Sequence, residues 1–267
     1  MTKRQTTLYI PHGGGPCFFM DWTMGPADTW NSMAEHLRVL GREHGDPRAL
    51  LVVSAHWEQP VATVLAQAQP ELLYDYSGFP PHTYQLEWPA PGAPELASRV
   101  RALLDAAGIA NAETRERGFD HGVFVPLKVA YPEAKIPTTQ LSLVAGLDPR
   151  EHLAIGRALA PLRDEGVLIV ASGMSYHDMR GFGRPASLGL SLEFDAWLEQ
   201  ACRDPITREA ALAAWAESPA GRRCHPRAEH LLPLMVAAGA ASGEPGRRRF
   251  SDQVMGVQVS AFEFGDA

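Results

Sequence analysis

The chain has 267 residues, 45% of them hydrophobic, with a formal net charge of −7. That is enough apolar material for one large α/β domain with a single core, while the acidic balance and the lack of a long Lys/Arg block exclude a nucleic-acid surface. Cys17, Cys202 and Cys224 are widely spaced and form no paired motif, which fits a reducing cytoplasm. No apolar run reaches the roughly 18 residues of a membrane span and the amino terminus shows no signal-type stretch, so neither membrane insertion nor export is expected.

In chain order, Thr7–Ile10 reads as a strand that enters Pro11-His12-Gly13-Gly14-Gly15-Pro16, a glycine loop able to pass close to a ligand or simply to turn. The His-Gly-Gly-Gly run also occurs in oxyanion holes of lipase-like enzymes, but those need a Gly-x-Ser-x-Gly elbow that this chain lacks. Thr29–Leu40 has Trp30, Met33, Leu37 and Leu40 at helical spacing, with His36 and His44 expected at the surface. Leu50–Trp57 is apolar, partly β-branched and too short for a helix; it reads as a buried strand that stops at His56. Val61–Leu65 reads as a further strand.

From Pro70 to Pro94 the sequence is irregular and dense in aromatic residues and proline, which suits an active-site wall or lid better than a linker; His82 in it reads as structural or exposed. Pro94–Ala107 reads as a helix stopped at Gly108, and Asp120 either caps a helix or fixes the His121 ring. Thr138–Leu143 is a strand, Pro149–Arg163 a helix, and Val167–Ala171 a strand that runs on to Ser172-Gly173-Met174-Ser175-Tyr176-His177. Gly181–Ala186 matches a dinucleotide fingerprint only formally, since it follows a loop and contains Pro185. Helices over Leu190–Arg203 and Arg208–Ala216 precede Cys224–Leu234, where Pro226 suits a first helical position and would put His230 in the first or second turn. Arg247-Arg248-Arg249 reads as a solvated loop and Val254–Phe264 as one final strand.

Alternating strands and helices predict an α/β fold, a single domain over residues 1–267 with a mostly parallel or mixed sheet flanked by helices. In such sheets ligands collect beyond the strand carboxyl ends, and three strands here hand over to His12, His56 and His177. Neutral imidazoles bind zinc and iron(II), so His12, His56 and His230, with His177 as a further member, are the candidate metal ligands. For any one of them a hydrogen-bonded core histidine is the alternative. Tyr74, Tyr76, Trp57, Phe119 and Tyr176 are candidates for an aromatic pocket or for ordinary packing.

Pro11–Pro16, Ser54–Trp57, Gly118–Gly122, Ala171–His177 and Pro226–Leu234 together resemble the class III extradiol ring-cleavage dioxygenases of LigB type, within the branch that contains 4,5-DOPA dioxygenase. The resemblance implies a non-haem metal held by His12, His56 and His230, with His177 at the metal or on its substrate side. It also implies acid/base work by His121 and His177, with His177 as the base and His121 as the acid, or the reverse. The substrates it implies are a small catechol-type phenol and dioxygen; the cofactor is iron(II), with zinc(II) able to occupy the site in purified protein by the usual divalent order. This chain departs from the pattern in its extra glycine after His12 and in Glu229, a carboxylate that competes with His177 to complete the metal shell. A zinc-dependent hydrolase or amidohydrolase and a non-catalytic binding protein on the same scaffold are the competing readings. Oligomeric state is left open.

Overall fold

The computed structural model describes residues 4–241 and 243–265, and its core is one eight-stranded mixed sheet with helices on both faces. The strands are β1 (Thr7–Pro11), β2 (Ala49–Gln59), β3 (Ala62–Leu65), β4 (Asn111–Thr114), β5 (Thr138–Val144), β6 (Val167–Gly173), β7 (Gly246–Val254) and β8 (Val257–Phe264), in the order β4-β3-β5-β2-β6-β1-β8-β7. The four central strands β5, β2, β6 and β1 are parallel. β8 joins β1 antiparallel, as β3 joins β5.

The central strands are continuous apolar runs because both faces are covered. Successive side chains point to opposite faces, so Leu50 and Val52 pack with Leu8, Ile10, Leu168 and Val170 on one side, and Leu51 and Val53 with Ile169 and Ala171 on the other. The first face is covered by α1 (Asn31–His44) and α3 (His121–Ala130) through Ala34, Leu37, Leu40, Val123, Phe124 and Leu127. The second is covered by α2 (Pro94–Ala106), α4 (Pro149–Leu159), α6 (Pro185–Arg203) and α9 (Leu232–Ala240). The short helices α5 (Pro161–Asp164), α7 (Arg208–Ala213) and α8 (Gly221–Cys224) complete the set.

Several sequence expectations are corrected. Strand β2 does not stop at His56 but continues to Gln59 through a register shift against β5. The helix expected over Pro149–Arg163 is divided at Ala160, where the ring of Pro161 and its missing N–H break the ladder. The segment around Pro226 is a series of turns and the helix starts only at Leu232, so His230 precedes it. The carboxyl-terminal region is a hairpin of two strands, and Arg247, Arg248 and Arg249 lie in β7 as ion-pair partners of Glu263, Asp195, Glu199 and Glu43. Glu263 is buried, which explains why a basic run sits in a strand: a carboxylate removed from water must be paired. His36 and His44 are partly buried beside this hairpin, His36 stacked on Phe250 and His44 facing Glu263. Strand β4, polar and half-exposed, had no apolar signature to find it by.

α4 and α9 touch through glycine. A Cβ on Gly156 would lie 2.3 Å from the Val236 carbonyl oxygen and one on Gly239 would lie 2.2 Å from that of Leu153. Gly239→Val should therefore push α9, and the chain leading into it, off the sheet, lowering stability by about 1–3 kcal/mol, the usual cost of overpacking. Urea denaturation followed by circular dichroism measures this, and an unchanged midpoint would refute the close contact.

Candidate active site

The register of the parallel strands brings the histidines together. Ile10 pairs with Ser172, and Ser172 with Ser54, so the three residues form one rung. His12 and His56 each lie two residues beyond that rung, on the face that carries α3. α3 begins at His121, and its second residue, Gly122, leaves no room for a side chain, because a Cβ there would lie 2.5 Å from Ser54 Oγ and 3.0 Å from His56 Cδ2. His230 arrives from the opposite face. Its carbonyl accepts hydrogen bonds from Met174 N at 3.1 Å and Tyr9 Oη at 2.8 Å, and a Cβ on Gly173 would collide with that carbonyl. His177 follows in the loop after β6.

Five histidines meet as a result. One ring nitrogen each from His12, His56 and His230 lies within 4.8 Å of the other two, and His12 Nε2 is 3.2 Å from His56 Nε2. His121 stands over His56 with ring centroids 3.9 Å apart, and His177 is stacked on His230 at 3.3 Å. Hydrogen bonds assign the tautomers. His12 Nδ1 donates to Gly13 O at 2.9 Å and His230 Nδ1 to Glu229 Oε1 at 2.9 Å, which leaves each Nε2 with a bare lone pair when the ring is neutral. Burial holds these rings neutral: the His12 and His56 pKa values are pushed well below the ordinary range, and His230 falls to about 4 despite the opposing pull of Glu229. His230 Nε2 is buried with no hydrogen-bond partner.

Two carboxylates act on the outer pair. Glu229 Oε1 accepts from His230 Nδ1 and lies 3.2 Å from His177 Nδ1. Burial raises the Glu229 pKa, but the hydrogen bonds from His177 and His230 outweigh it and hold the carboxyl well below the usual range. Asp75 Oδ1 accepts from His121 Nδ1 at 2.7 Å and from the His121 backbone N at 2.9 Å, satisfying the first free amide of α3 as well as orienting the ring. Burial likewise raises its pKa and the His121 contacts bring it down below the ordinary value.

Asp120, adjacent to His121 in sequence, does neither task expected of it. Its side chain makes no capping bond; it accepts from Ser54 Oγ at 2.6 Å, from Arg117 at 3.0 Å and from Gln140. It ties α3 to β2 and β5 from beneath. Asp75 was not legible because it sits in an irregular loop, 46 residues from its partner.

The site opens into a cavity of about 470 Å³ lined by His12, His56, His121, His177 and His230 together with Gly13–Gly15. Gly13 has φ +84°, a left-handed conformation that favours glycine, and a Cβ there would meet Cys17 Sγ. Of the five aromatic residues considered from sequence, only Tyr76 lines this space; Trp57, Phe119 and Tyr176 are core, and Tyr74 packs on Phe124. The other aromatic walls are Trp22, Trp30, Phe79 and Phe182, residues with no distinguishing local motif. The loop from Pro70 to Pro94 is a wall, as expected, supplying Tyr76 and Phe79 to the cavity and Asp75 to His121, and it is closed on itself by Tyr74 Oη to Leu86 O and Tyr76 Oη to Thr83 O, both 2.6 Å. His82 is exposed and meets Phe19 O.

Clustered imidazoles, three of them backed by carboxylates, at the end of a cavity are the apparatus of an enzyme. The family model described as the catalytic LigB subunit of aromatic ring-opening dioxygenase matches residues 6–262, and the chain belongs to this family of class III extradiol dioxygenases. It is an extradiol aromatic ring-opening dioxygenase. The 4,5-DOPA dioxygenase extradiol of Beta vulgaris is 44% identical over 199 residues, covering 73% of this chain and 74% of the relative. The dioxygenase tasH of Hapsidospora irregularis is 35% identical over 276 residues, 97% of this chain and 85% of the relative. The crystal structure of an uncharacterized Escherichia coli K12 protein superposes with a TM-score of 0.77 at 30% identity, covering 98% of this chain and 100% of that one. Among the described residues no helix is long and apolar enough to cross a membrane.

The depressed histidines make stability depend on acid. An unfolded histidine takes up its proton near 6.5, whereas His230 waits until about 4 and the buried His225 until about 3. The unfolded state therefore binds more protons in that window, and stability is full above 6.5 and lost as pH falls through it. Thermal unfolding of metal-free protein should show Tm dropping from pH 6.5 to 4, with up to about 1.4 kcal/mol per pH unit for each such histidine. A flat profile would show that these rings are not buried in neutral form.

Proposed function

We propose that the chain is a single catalytic domain that opens a catechol-type ring beside its diol with dioxygen, using iron(II) held by His12, His56 and His230. The observation that supports this reading is the set of three imidazole nitrogens within 4.8 Å of one another, alongside the buried His230 Nε2 with no hydrogen-bond partner. Such an orphaned acceptor costs stability unless a cation or donor meets it, and neutral imidazole suits iron(II) and zinc(II) alike. The donor set thus fits a divalent metal. Glu229 is better suited to orienting than to ligating, since the oxygen nearest the site already serves two imidazoles.

Iron(II), when bound, would supply a redox-active Lewis acid through which a catecholate and dioxygen can exchange electrons. The remaining tasks fall to side chains. His177, whose Nδ1 lies 3.2 Å from Glu229 and whose side chain lines the cavity, is the base for a phenolic proton. His121, whose imidazolium Asp75 would stabilise, is the group that returns a proton on the other side. The apolar walls keep bulk water from competing for either. The buried free thiols Cys17, Cys202 and Cys224 suit a cytoplasmic setting.

Protein reconstituted anaerobically with iron(II), then given a catechol and air, should consume one dioxygen per ring opened with no nicotinamide or flavin, giving a coloured ring-opened product. His12→Ala and His56→Ala should lose stoichiometric metal. Product formed without oxygen would favour the hydrolase, and full metal occupancy in both variants would remove the ligand assignment.

His121→Gln keeps the size of the side chain but not its proton. It should retain metal and slow turnover by roughly 10²–10⁴, the scale of positioned acid/base catalysis. Metal analysis alongside steady-state kinetics decides the matter, because metal loss in a folded variant would make His121 a ligand instead.

A further inference from the structure

The cavity walls bear on which ring the site accepts, an inference that rests on the ring-opening function proposed above. A volume of about 470 Å³ lies in the range of sites for drug-sized ligands, about 300–1,000 Å³, and so has room for more than one ring or a chain on it. Among the described lining residues none is an Asp, Glu, Lys or Arg, and the nearby carboxylates of Asp75 and Glu229 are committed to His121, His177 and His230. The walls are Trp22, Trp30, Phe79 and Phe182, and at the rim stand Met24 and Met179, 59% and 70% exposed. Large apolar side chains left in water at the mouth of a cavity mark a surface that expects apolar cover, and methionine adapts its shape to varied apolar ligands.

The polar atoms of the wall point the same way. The Tyr76 hydroxyl is committed to Thr83 O. The indole N–H groups of Trp22 and Trp30 are buried and unpartnered, and each can serve a neutral oxygen but offers no charge. The charged groups Asp28, Arg184 and Asp252 belong to an outer cleft that, among the described lining residues, shares Met24 and Met255 with this cavity. A carboxylate or ammonium on the substrate would thus be stripped of water without a countercharge, which is costly. We propose that this enzyme selects catechols whose ring substituent is bulky, apolar and uncharged, alkyl or aryl, over those that carry an amino-acid side chain.

The test compares catechol, para-methylcatechol, para-butylcatechol, phenylcatechol and dihydroxyphenylalanine with the iron(II)-loaded enzyme, reading kcat/KM by oxygen uptake. In parallel, anaerobic binding of the same compounds to metal-free protein is read by quenching of tryptophan fluorescence. Both kcat/KM and affinity should rise roughly three- to fourfold per methylene from methyl to butyl, the fold-change equivalent to about 0.8 kcal/mol per buried CH₂, with dihydroxyphenylalanine below para-methylcatechol. Met179→Arg, a change at an exposed position, should shift the kcat/KM preference severalfold toward dihydroxyphenylpropionate over para-butylcatechol, both measured in the same assay for this variant and the unaltered enzyme. Affinity that is flat or falling with chain length, or a preference for dihydroxyphenylalanine, overturns the inference. The absence of ring opening throughout the panel would count against the proposed reaction, while the binding series would still decide the substituent.

Discussion

The site depends on the rung that joins Ile10, Ser172 and Ser54. Parallel pairing at that register aligns β1, β6 and β2 at one level, and His12 and His56 follow by the same two residues, His12 just past the end of β1 and His56 within β2. A slip of one residue in either strand would turn its histidine to the opposite face. The continuous apolar character of these strands does not by itself set the register, since every position suits either face. What pins it is polar and steric: Ser54 bound to Asp120, Ser172 to the Gly122 carbonyl, and Gly122 itself too close to His56 to carry a side chain.

Around that frame burial and carboxylates act on different imidazoles. Burial lowers the pKa values of His12, His56 and His230 and favours the neutral ring, the form that has a lone pair to give. His121 and His177 each lean on a carboxylate whose pKa burial raises and whose contacts with imidazole bring it below the ordinary value. Glu229 touches both His230 and His177 through a single oxygen.

The cavity draws on many parts of the chain. His56 belongs to β2 and His121 opens α3, while His12, His177 and His230 stand in the segments after β1, after β6 and before α9. Its walls and rim come from the segments after β1 and β6, from the Pro70–Pro94 loop and from Met255 in the β7–β8 turn.

The sequence alone determined the α/β class, the central strands, most helices and all five site histidines, because apolar periodicity is local and because His-bearing motifs at strand ends are visible one strand at a time. It did not reveal the carboxylates that govern those histidines: Asp120 is next to His121 yet bonds elsewhere, while Asp75 comes from 46 residues away to take its place. Nor did it reveal that three arginines in a row form a strand around buried Glu263, or that His230 precedes its helix instead of projecting from it. Hydrogen bonds and ion pairs join whichever donors and acceptors the fold brings within about 3 Å, and that proximity arises only from packing, so the partners of the site were decided by the tertiary structure.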